Sequence, residues 1–167
     1  MSLLLLGCGF KLRGQSEVML SSLPVVFVKS EDPYGSLNKI FLEVMKRSGV
    51  RVVTDPKYAL YVIEMKKAES KIESVGYGFS NQVSMNTVTE TLTYRMLGRG
   101  GKELIPWRTI STVNSFTINT NQALSGTVIP DYLSETMNRD LVYQLIEQLN
   151  AWEFNENQLR PTRRPAY

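Results

Sequence analysis

Few residues in this chain could do chemistry, and the first of them is Cys8. It follows the apolar run Leu4-Leu5-Leu6 and the small residue Gly7, and it is the only cysteine among 167 residues. That placement suits acylation. An apolar run draws the chain to a membrane, a small residue lets a peptidase reach the backbone, and the thiol receives a lipid and becomes the new N-terminus. Cys8 is therefore the expected lipid attachment site, and the competing reading is a buried cysteine opening a strand. No basic region precedes the run. Residues 1–7 accordingly read as the remnant of a signal peptide behind an added start, Met1-Ser2-Leu3.

The rest of the composition removes chemistry rather than adding it. There is no histidine, so a Ser-His-Asp triad, a Cys-His pair and a histidine-based zinc site are excluded. One cysteine cannot form an internal disulfide. The carboxylates are scattered, with no pair at a spacing that suggests acid–base work. No catalytic residue, metal ligand or cofactor site is assigned. The net charge of +3 is mild and points to no nucleic acid. Gly98-Arg99-Gly100-Gly101 resembles a phosphate loop only superficially, because strand follows strand there and a phosphate loop must open a helix. It is expected to be a hairpin turn. Lys66, Lys67, Arg95, Arg99, Lys102 and Arg108 all fall on the middle strands or that hairpin. They read either as an anion-attracting patch or as a solvated sheet edge in which lysine blocks strand addition.

The elements that position these groups follow from periodicity. Residues 24–29 are a short β-branched and aromatic run, a buried strand. Leu37, Ile40, Phe41, Val44 and Met45 line one face of a helix, with Lys46 and Arg47 in its last turn and Gly49 at a left-handed cap. Residues 50–53 suit a short edge strand. Residues 58–75 read as one long strand, apolar at its start and charged later. From 87 to 97 the pattern alternates. Val88, Leu92, Tyr94 and Met96 take one face with Glu90 interrupting, and Thr87, Thr89, Thr91, Thr93 and Arg95 take the other. Residues 104–119 return antiparallel. A second helix begins near Pro130-Asp131 with Leu133, Met137, Leu141, Leu145 and Leu149 four apart. Two helices cannot cover both faces of a sheet, so both are expected on one face. The predicted fold class is α+β, a two-layer sandwich of two helices on a mostly antiparallel sheet of about four strands. Residues 8–152 form the single domain and 153–167 a polar, disordered tail.

Three segments carry a family resemblance. Gly7-Cys8-Gly9-Phe10-Lys11-Leu12-Arg13-Gly14 resembles the lipidated start of the LPS-assembly lipoprotein LptE (RlpB) family. Ser30-Glu31-Asp32-Pro33-Tyr34-Gly35-Ser36-Leu37 is similar to that family's turn into its first helix, and Asn121-Gln122-Ala123-Leu124 to the segment before its last. The resemblance implies a non-enzymatic lipoprotein, anchored on the periplasmic side of the outer membrane. Such a protein plugs an LptD-like β-barrel and assists insertion of lipopolysaccharide into the outer leaflet. The family's basic lipid-contacting residues do not carry over, because the loops around Gly78 and Ser125 hold no Lys or Arg. Arg99 and Lys102 on the hairpin are the candidates left for lipopolysaccharide contact. The alternative reading is a free periplasmic lipoprotein that binds a small ligand or a cell-wall component.

Overall fold

The computed structural model describes residues 23–77, 83–119 and 128–159. Cys8, the two loops around Gly78 and Ser125, and residues 160–167 lie outside the described residues. In chain order the elements are β1 (Val25–Ser30), α1 (Ser36–Arg47), β2 (Arg51–Val53), β3 (Tyr61–Met65), β4 (Glu69–Tyr77), β5 (Val83–Leu97), β6 (Glu103–Asn119) and α2 (Asp131–Leu159).

The sheet is mixed. β1 pairs in parallel with β2 and β3, while β5 pairs antiparallel with β3, β4 and β6. It has six strands rather than about four. Two features account for the difference. Arg51–Val53 is long enough to join β1 as a parallel edge strand. The single strand expected over 58–75 is broken by a bulge: Met65 pairs with Tyr94, but Glu69 pairs with Thr91, so residues 66–68 face only two residues of β5. An extra residue inverts side-chain parity along the strand. Ile63 and Met65 therefore point into the core before the bulge, and Ile72 packs on the same side after it.

Both helices lie on one face, as expected from their single apolar stripes. Phe41 and Met45 of α1 and Leu141, Val142, Leu145, Ile146 and Leu149 of α2 are buried. They share a core with Val26, Ile63, Leu92, Tyr94 and Met96 of the sheet. A smaller core under the start of α2 joins Leu133 and Met137 to Val88 and Phe116. α1 ends as its sequence suggests. Gly49 adopts φ 78°, and the Val50 amide donates to the Met45 carbonyl. α2 continues to Leu159, past the boundary expected at Trp152.

Candidate functional site

The β5–β6 ribbon presents its second face away from the helices. Thr93 and Thr109 hydroxyls meet at 3.0 Å across the ribbon, and those of Thr87 and Ser115 at 3.5 Å. The Thr91 hydroxyl donates to the Glu69 carbonyl at 3.3 Å. Val113, Met85 and Trp107 stand out of this hydroxyl field, with Val113 61% exposed. The surface is polar, and Lys71 and Glu73 on it pair at 2.9 Å.

At the β1 side, the face is knit by charge. Arg95 Nε donates to Glu64 Oε2 at 2.6 Å, and Lys29 Nζ donates to Glu64 Oε1 at 3.2 Å. Burial alone would raise the Glu64 pKa, but the bonds from Arg95 and Lys29 outweigh it and hold the carboxyl below its ordinary value. The Arg95 guanidinium also lies 4.7 Å from the centre of the Trp107 ring, and Lys66 Nζ lies 5.3 Å from it. A depressed acid pKa contributes stability above the unfolded-state value, and that stability is lost as pH falls through the folded-state value. Glu64→Gln is thus expected to cost about 1 kcal/mol at pH 7. The gap to the parent should close as pH falls below the ordinary value of 4.5. Urea melts of both proteins across pH 3–7 check this.

The candidate lipid-contact residues Arg99 and Lys102 lie together at the β5–β6 turn. Gly100 and Gly101 take φ of 70° and 78° there, a conformation that glycine adopts freely. The Gly98 amide donates to the Lys102 carbonyl at 2.7 Å, so the segment is the expected hairpin. Sequence reasoning missed the apolar wall beside it. Arg99 and Lys102 line a groove of about 300 Å³ with Leu60, Tyr61, Leu104 and Trp152. Tyr61 and Trp152 meet edge to face at 6.0 Å. Lys57 lines an adjoining hollow with Arg99. The signal available in sequence was Trp152 at the end of the α2 stripe.

The other cations do not join this pair. Lys66 and Arg95 are drawn to Trp107, and Arg108 faces the helix layer opposite Tyr94, where it donates to Gln148 at 3.3 Å. Lys67 is exposed elsewhere, where its amide donates to Glu31, so the six residues grouped in sequence divide among four places. Glu90, which interrupts the apolar side of β5, lies inward and only 7% exposed, and burial raises its pKa.

The fold is similar to that of small bacterial lipoproteins of known structure. Rare lipoprotein B from Shewanella oneidensis superposes with a TM-score of 0.66 at 14% identity, covering 80% of this chain and 98% of that one. Uncharacterized lipoprotein B from Nitrosomonas europaea also gives 0.66, at 19% identity, covering 87% and 92%. At these identities the likeness concerns fold alone. Sequence similarity is more particular: the LPS-assembly lipoprotein LptE of Pectobacterium atrosepticum is 25% identical over 164 residues, 96% of this chain and 88% of that protein. No family model matches the chain. The resemblance to the LptE family, first carried by three short segments, thus holds over most of the sequence. No helix among the described residues is long and apolar enough to cross a membrane.

Proposed function

We propose that the chain is an LPS-assembly lipoprotein of the LptE family and not an enzyme. In this reading it is held at the periplasmic side of the outer membrane by a lipid on Cys8. It seats its open sheet face against the lumen of an LptD-like β-barrel and assists delivery of lipopolysaccharide to the outer leaflet. The observation that carries the reading is the similarity to LptE along nearly the whole of both chains. The geometry supports it. A barrel lumen is polar, and the Thr/Ser field of β5 and β6 can exchange hydrogen bonds with such a wall at little desolvation cost, since its hydroxyls rotate to suit a partner.

Affinity purification of the full-length protein from detergent-extracted outer membranes tests the assembly. A large β-barrel recovered in equal amount is the expected result, and recovery of the chain alone would sink the reading. Anchoring is tested separately. Cys8→Ala, expressed behind a complete signal peptide, should carry no lipid by mass spectrometry and should leave the membrane fraction. The same acyl mass on the variant would remove Cys8 from this role.

A further inference from the structure

Opposite the hairpin end of the molecule, the first turns of α1 and α2 and the bulge at 66–68 enclose a polar cavity of about 230 Å³. Glu90, Asn38 and Asn138 line it, and each is at least nine-tenths buried, at 7%, 5% and 6% exposure. Ser36 and Ser134 add hydroxyls to the wall. The Glu90 carboxylate lines this cavity and has no hydrogen bond or ion pair with a described residue. Asn38 Nδ2 donates to the Pro33 carbonyl at 2.8 Å, and its Oδ1 is buried without a partner. A carboxylate this far withdrawn from open solvent gains from a hydrogen-bonding or charged partner.

We infer that this cavity binds the primary ammonium group of a small amine, held by the Glu90 carboxylate. The carboxylate is an acceptor, so the occupant must donate hydrogen bonds. A cationic donor gains most there, and an ammonium supplies three N–H groups at one point. The cavity's other charged residues are already engaged or turned away. The Asp32 carboxylate folds against Gly35 at the start of α1, where it complements the positive helix end. Lys66 leaves for the opposite sheet face to lie over Trp107. Lys67 is exposed, and its backbone amide donates to Glu31 at 3.1 Å. An anion would meet the carboxylate and is disfavoured on the same ground.

The probe is methylammonium chloride, titrated into the purified 167-residue chain while backbone amide resonances are followed. Tetramethylammonium chloride at the same ionic strength serves as a cation without N–H donors, and calcium chloride as a metal cation. The expected result is saturable shifts centred on Ser36, Asn38, Ala68 and Ser134, with a millimolar Kd set by the small size of the probe. Glu90→Gln should weaken binding at least tenfold while still melting cooperatively. Should that variant fail to fold, the contrast between the two ammonium salts on the parent protein still decides. Three outcomes overturn the inference: no localised shifts with methylammonium, equal shifts with tetramethylammonium, or shifts produced by calcium alone. Unchanged affinity in a folded Glu90→Gln protein would also overturn it.

Discussion

Phe41→Ala and Leu145→Ala are each expected to lower the stability of the folded domain by about 2–5 kcal/mol, out of a total of about 5–15 kcal/mol. Both side chains are fully buried, one on each helix, in the core shared with β1, β3 and β5. The loss has two parts: the apolar surface no longer removed from water, and the void left behind. The void cannot close easily. Ile63, Leu92, Tyr94 and Met96 on its sheet side are fixed by paired strands, and a close-packed interior relaxes only partly. Denaturant melts should therefore show a clear fall in midpoint with little change in slope. Tyr143→Ala supplies the control, because Tyr143 on α2 is 49% exposed. It should stay within about 0.5 kcal/mol of the parent. Core variants that behaved like this control would place Phe41 and Leu145 on the surface.

Those two residues were legible in sequence because a helix packed on one side repeats its apolar positions every three or four residues. Every residue of the α2 stripe from Leu133 to Leu149 is buried in the structure. The phase of β5 was legible for the same kind of reason, since a strand with one wet face alternates strictly. The strand before it was not. Whether 58–75 is one strand or two depends on a single extra residue opposite Leu92 and Thr93, and the charged stretch around the bulge carries no apolar alternation to mark it. The only clue is parity: Ile63 and Met65 are odd-numbered and Ile72 is even. A reader who insisted that all three face the helices would have had to insert a bulge between them.

The site was less legible than the fold because it is assembled across distant segments. Trp107 sits where β6 carries an extra residue, since Tyr94 pairs with Arg108 but Met96 pairs with Ile105. The register that sets Arg108 opposite inward-facing Tyr94 also brings Trp107 beside Arg95, so these two cations of adjacent strands end on opposite faces. Glu90 shows the opposite case. Its inward position follows directly from the alternation of β5, but the cavity that receives it is built by the first turns of both helices and by the bulge. Sequence shows that a carboxylate is out of place. Only the assembled fold shows what it faces.

Arg99→Glu combined with Lys102→Glu is expected to weaken binding of lipopolysaccharide to the purified protein by several-fold to about a hundredfold, corresponding to about 1–3 kcal/mol. Lipopolysaccharide joins phosphates to acyl chains, and the hairpin groove offers a partner for each. Arg99 and Lys102 can hold phosphate by charge-assisted hydrogen bonds, while Leu60, Tyr61, Leu104 and Trp152 form the adjoining apolar wall. Reversing both charges replaces attraction with repulsion at the phosphate and leaves that wall in place. The fold should tolerate the change, because Arg99 and Lys102 are exposed on a glycine turn and neither makes an ion pair with a described residue. Unchanged melting of the double variant is therefore part of the expected result. The loss should shrink as salt rises, since dissolved ions screen solvent-exposed charges and compete for them. A companion change, Trp152→Ala, should weaken binding with little dependence on salt, which separates the apolar contact from the ionic one. If the double variant binds as tightly as the parent at low salt, the hairpin is not the lipid site. Recognition would then fall to the segments around Gly78 and Ser125, which carry no basic side chain and would have to act through backbone amides and acyl contacts.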